Sequence, residues 1–344
     1  MKKRAVVICP GRGTYTKDTL GYLRQFGSHA TQFIADIDHR RAHNGEPTIS
    51  ELDGAEFFKP AVHTKGEHAS SLIYACSYAD FTAINPDKYE IVAVTGNSMG
   101  WYLACAFGGA LDWRGGFDVV NTMGSMMKNE IIGGQVIYPI CDDNWVRSQE
   151  RVDVVHDTVA RLNERDGVEI HISIYLGGYV VLGANKAGVN ELLKELPKVE
   201  NYPFQLINHA AFHTPLLRET SERAFRELPL ELFQKPKLPL IDGDGRIWQP
   251  YATDLEQLYH YTLGQQVVEP YNFTLSISVA LKEFAPDALI LLGPGSTLGG
   301  SVGQILIEND WRGLKTKAQF SEMQAKDPFL LAMGRPEQRP LVVT

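Results

Sequence analysis

Three short runs of consecutive apolar residues punctuate the chain: AVVIC at 5–9, IVAVTG at Ile91–Gly96 and ALILLG at Ala288–Gly293, each closed by a glycine or by Pro-Gly. Runs that are apolar on both faces suit strands of a parallel sheet covered on each side by helices. The stretches between them change period. Ser70–Ala79 and Trp101–Phe107 repeat every three to four residues, and Asp112 is placed to cap a helix running to about Lys128. This alternation predicts an α/β fold with a central parallel sheet.

From Glu130 to Tyr202 the pattern changes. A strand (GGQVIYPI), a helix over Asn144–Asn163, two strands about the Gly177-Gly178 turn and a helix over Lys186–Leu196 follow one another. This order predicts a small split β-α-β unit, ferredoxin-like and inserted at 130–202 into a body made of 1–129 and 203–344. Beyond it the α/β pattern resumes with a helix ending near Leu228. QKPKLPLIDGDGRIWQP reads as a surface loop with one short strand, and GRPEQRPLVVT carries no helical period.

Composition narrows the class. With 344 residues, 44% hydrophobic and 10% aromatic, the chain has ample material for a core. Lys and Arg number 33 against 41 Asp and Glu, a net charge of −8, so no basic field exists to hold nucleic acid. The four cysteines, Cys9, Cys76, Cys105 and Cys141, form no C-x-x-C pair and read as free thiols of a cytoplasmic protein. The apolar stretch after Arg4 is too short for a secretory h-region, and no run approaches a membrane span.

The sharpest chemical signal is TGNSMGWY: a strand, then G-x-S-x-G with Gly96, Ser98 and Gly100, then a helix. A serine on such a turn is exposed, and the helix start offers backbone N–H groups to an oxyanion. A serine nucleophile needs a base. His209 and His213 in NHAAFHTP are spaced i, i+4, yet no Glu and no third ligand motif accompanies them, so a zinc site is not indicated. His213 precedes Thr-Pro near a helix start, where its side chain can face a cleft.

Five segments, in order, resemble the malonyl-CoA:acyl carrier protein transacylases and the related acyltransferase domains of fatty acid and polyketide synthases. CPGRGTY resembles the family's PGQGSQ loop, TGNSMGWYLACAFGGALD its GHSLGEYAALVAAGAL, and HISIYLGGYVVLGANKAGVNELLKEL part of its small subdomain. NHAAFHTPLL resembles AFHSPLM, and LLGPGSTL its GPGxxL. The resemblance implies Ser98 as nucleophile and His213 as general base, with oxyanion donors from the backbone N–H of Met99 and Arg12. It implies a histidine-orienting backbone carbonyl near Asn272. It also implies acyl-CoA as donor, the phosphopantetheine of an acyl carrier protein as acceptor, and no permanently bound cofactor.

Three positions depart from the family pattern. Met123 stands where the family has its carboxylate-binding arginine, Asn97 replaces the histidine before the nucleophile, and His68 replaces a glutamine. All three are expected in the acyl pocket and suggest an altered acyl choice; with the carboxylate-binding arginine replaced by Met123, the resemblance does not assign malonyl as the transferred group. Arg114, nine residues before Met123, is about half a helical turn out of phase. Arg12, in the loop facing Ser98, is the better source of a replacement charge. An acyl-thioester hydrolase and a non-catalytic carrier-docking subunit are the alternative readings.

Overall fold

The computed structural model describes all residues 1–344. Its strands are β1 (Lys3–Cys9), β2 (Tyr89–Gly96), β3 (Gly134–Pro139), β4 (Ile170–Leu176), β5 (Tyr179–Ala184), β6 (Phe204–Leu206), β7 (Leu240–Ile241), β8 (Ile247–Trp248), β9 (Tyr271–Asn272), β10 (Ala288–Leu291) and β11 (Leu330–Ala332). They form two sheets.

The larger sheet has the order β11-β10-β1-β2-β7-β8 and is parallel except for the β7–β8 hairpin. The three apolar runs become its neighbouring strands β10, β1 and β2. In β1, Ala5 to Cys9 are completely buried, as strands covered on both faces must be. The helix Trp113–Ser125 starts where expected, with the Asp112 carboxylate accepting from Gly115 N–H at 2.7 Å.

The second sheet runs β6-β3-β5-β4-β9. Its first four strands, with the helices Gln149–Asn163 and Lys186–Glu195, trace the β-α-β-β-α-β order of a ferredoxin-like unit. Its small core, from Val136 to Leu196, is separate from the main one. The sheet also draws on residues outside 130–202: β6 lies at 204–206, and β9 comes from the body to pair in parallel with β4. Tyr271 and Asn272 of β9 thereby tie the small unit to the body. The four cysteines are buried and unpaired, and no helix is long and apolar enough to cross a membrane.

Three stretches differ from the sequence expectation. QKPKLPLIDGDGRIWQP is not a surface loop with one strand; it holds the β7–β8 hairpin at the edge of the large sheet, with Leu240, Ile241 and Asp242 completely buried. NHAAFHTP is not helical; it is an irregular loop with Asn208 and His213 at positive φ (58° and 61°), so the i, i+4 spacing of its histidines has no helical meaning. The tail does end in a short helix, Pro340–Val343, after Arg339 has been drawn into the interior.

Candidate active site

Neighbouring parallel strands β1 and β2 release their chains side by side at the carboxyl edge of the large sheet, where open α/β sheets form their crevices. After β1 come Pro10 to Thr14; after β2 come Asn97 to Met99. Ser98 sits at φ 55°, the strained turn that aims a serine side chain away from its own backbone. The glycines of the motif answer a close approach. A Cβ on Gly100 would stand 2.4 Å from the Cys9 carbonyl oxygen, and one on Gly96 would stand 2.2 Å from that of Gly100.

The histidine arrives from the opposite side. The loop before it is stitched down by Ala211 N–H to the Ile132 carbonyl and by His213 N–H to the Val267 carbonyl, both 2.8 Å. His213 is 1% exposed. Its Nε2 lies 2.7 Å from Ser98 Oγ, and its Nδ1 lies 2.5 Å from the Gln266 carbonyl oxygen. That carbonyl can only accept, so Nδ1 carries the proton and Nε2 is left free to accept from the serine. Burial pulls the imidazole pKa down to about 4 against the opposing pull of the carbonyl, which keeps the ring neutral at physiological pH.

The carbonyl that orients His213 therefore belongs to Gln266 and not to the neighbourhood of Asn272. Asn272 is occupied elsewhere: its side chain caps the helix Phe273–Phe284 by accepting from Leu275 N–H, and its backbone lies in β9. Gln266 follows a π-helical turn, Tyr261–Gln265. Its side chain acts too, donating to the Ser98 carbonyl at 3.1 Å while accepting from Tyr102 O–H at 2.8 Å. One residue thus grips both members of the pair. No motif points to Gln266, because the extra residue of a π turn is invisible to a 3.6-residue period. Tyr102, one helical turn after Ser98, could have been found from that spacing.

Ser98, His213, Met99, Arg12, Met123 and Asn97 line one cavity of about 360 Å³. The backbone N–H groups of Met99 and Arg12 make no hydrogen bond within the chain and are available as donors. Leu206 of β6 and apolar side chains of β3, β4 and β5 form the opposite wall. An arrangement of this kind can move a serine proton to histidine as the oxygen attacks a carbonyl carbon, and can hold the resulting oxyanion on two backbone donors.

No protein-family model and no curated protein sequence matches the chain. Solved structures do. The malonyl-CoA:ACP transacylase of Synechocystis superposes with a TM-score of 0.74 at 16% identity, over 99% of this chain and 100% of that one. The corresponding transacylase of Xanthomonas oryzae pv. oryzae gives 0.72 at 16%, over 99% and 98%. A malonyl-transacylase in complex with its type II polyketide acyl carrier protein gives 0.68 at 20%, over 89% and 93%. The chain has the malonyl-CoA:ACP transacylase fold.

Within that transacylase fold the departures fall as follows. Met123 is 3% exposed and faces the cavity. Asn97 is 8% exposed, and its Oδ1 has no hydrogen-bond partner. His68 does not line the cavity. Its Nδ1 lies 2.9 Å from the Val62 carbonyl, and burial lowers its pKa. Two residues along the same helix, about 200° around its axis, Ser70 takes the cavity-facing position. Arg114 is exposed, its guanidinium 4.8 Å from the Trp113 ring centre.

His209 also lines the cavity, which its pairing with His213 in sequence did not reveal. Its Nδ1 lies 3.1 Å from Gln135 Oε1; Gln135 in turn donates to Ser173 Oγ, and Ser173 to the Phe212 carbonyl, each at 2.8 Å. This chain ties the small unit's sheet to the residue preceding His213. Burial, with the adjacent Arg12 charge, holds His209 well below the usual histidine range and so neutral.

Proposed function

We propose that the protein is an acyl-CoA:acyl carrier protein S-acyltransferase that works by ping-pong transfer through an ester on Ser98. The observation that carries this reading is the hydrogen-bonded sequence Ser98 Oγ, His213 Nε2, His213 Nδ1, Gln266 carbonyl, with spacings of 2.7 and 2.5 Å, in a cavity of the transacylase fold.

Ser98 Oγ attacks the thioester carbonyl as its proton passes to His213 Nε2. The carbonyl oxygen, now negative, is held by the N–H groups of Met99 and Arg12. Collapse expels coenzyme A as the thiol, carrying the proton from His213, and leaves the acyl group esterified to Ser98. The phosphopantetheine thiol of the carrier then gives its proton to His213 and attacks the ester, and Ser98 recovers the proton as it leaves. The carbonyl of Gln266 stabilises each transient imidazolium without an aspartate.

The solved complex of a transacylase with its acyl carrier protein supports a carrier as the second partner. The test separates transfer from hydrolysis. Protein loaded with labelled acyl group and freed of donor is mixed with holo carrier protein or with buffer alone. Transfer of the label to the carrier thiol much faster than its release into buffer is expected. Equal loss with and without carrier would mark a hydrolase.

A further inference from the structure

Arg12 is the only Lys, Arg, Asp or Glu side chain lining the catalytic cavity. Its guanidinium is held at one corner, Nη2 donating to the Asn208 carbonyl at 2.8 Å. Nη1 lies in a notch where the helices Gly66–Ala83 and Trp113–Ser125 meet through glycines. A Cβ on Gly66 would stand 2.7 Å from Nη1 and 2.5 Å from the Gly124 carbonyl oxygen. Gly124 directly follows Met123. The charge thus enters from the loop after β1 and arrives beside the helical turn whose own side chain at 123 is apolar.

No carboxylate lining the cavity balances this charge. Arg12 makes no ion pair; Glu67 acts on it through space, but desolvation outweighs that attraction and pulls the pKa down to about 10, which still leaves the group charged at neutral pH. A second polar group in the cavity is also unsatisfied, the Asn97 amide with its buried, unpartnered Oδ1. The Nδ2 of the same amide makes no hydrogen bond within the chain and is not buried, which leaves it free as a donor. A half-buried guanidinium with no ion pair carries a free-energy cost that an anionic ligand reduces.

We infer that Arg12 is the specificity-determining residue of the acyl pocket, selecting acyl thioesters that end in a carboxylate, with the anion seated on the guanidinium and the Asn97 amide. The inference rests on Ser98 being the acylated residue. Its guanidinium N–H groups beyond the one given to Asn208 supply the forked donors that a carboxylate fits. A neutral acyl group in the same place leaves the cation without a carboxylate partner.

The experiment measures initial rates of ester formation on the intact protein by quenched-flow mass spectrometry, with malonyl-CoA and butyryl-CoA, for wild type, Arg12→Gln and Arg12→Lys. Wild type is expected to favour malonyl-CoA. In Arg12→Gln the malonyl-to-butyryl rate ratio is expected to fall by about 30-fold or more, the scale of losing one partner of a buried charge pair. Arg12→Lys is expected to recover part of it, since the charge stays and the fork is lost. The inference is overturned if both rates fall together and the ratio is unchanged, because Arg12 then serves only to brace the Asn208 loop. A wild-type preference for butyryl-CoA overturns it as well. Absence of an ester with either donor would instead remove the reading of Ser98 itself, and the inference with it.

Discussion

His213 is buried beside a carbonyl that accepts its Nδ1 proton, and burial wins: the imidazole pKa falls to about 4. A general base must be neutral, so the competent form is present above that value and lost as pH falls through it. Rates of Ser98 acylation should be flat from roughly pH 5.5 to 8, and an acid limb near 6.5, the ordinary histidine value, would contradict this environment. At the same scale, Gly100→Ala would drive a methyl to 2.4 Å from the Cys9 carbonyl oxygen. It should abolish loading and lower stability by about 2–4 kcal/mol, measured by denaturant unfolding. Ser98, Gly96 and Gly100 were legible in the sequence because a tight strand-to-helix turn restricts residue type. Gln266 was not, because a backbone carbonyl leaves no trace in residue identity. His68 lies in a segment that resembles a family motif, yet the phase of its helix places Ser70 in the cavity instead.

Among the elements, the π-helical turn Tyr261–Gln265 decides whether Gln266 faces the site. Deleting Gly264 should relax it towards an α-helix and rotate Gln266 by about 100°, removing its carbonyl from His213. Loading by acyl-CoA should then be lost while far-ultraviolet circular dichroism changes little; retained loading would show that the carbonyl is dispensable. The tail element has a different task. Arg339, 8% exposed, reaches completely buried Asp80 with an Nη1–Oδ1 distance of 2.5 Å, and Asp80 also accepts from Tyr22 O–H and Gly293 N–H at 2.7 Å each. Arg339→Met leaves a buried carboxylate without its cation and should cost about 3–5 kcal/mol in denaturant unfolding. The double variant Asp80→Asn, Arg339→Met should cost less than the single one. The segment GRPEQRPLVVT showed no period because its role rests on one long-range ion pair, to which periodicity is blind.

Across the whole molecule, the long apolar strands and the inserted unit could be read from the sequence because each spans enough residues to show a period. The two-residue strands β7, β8 and β9 are too short to show one, and β9 is what carries the body into the small unit's sheet. The site lies between these two parts, Ser98 on the body and the apolar wall on the small unit, so it exists only when both are folded and docked. That dependence makes acylation of one serine a measurement on the entire architecture. The intact protein is incubated with acyl-CoA, its mass is recorded, and the modified peptide is sequenced, beside Ser98→Ala. A single acyl adduct on Ser98, absent from the variant, is the result predicted here. No adduct with any donor, or an adduct that persists in Ser98→Ala, would contradict the account at its centre.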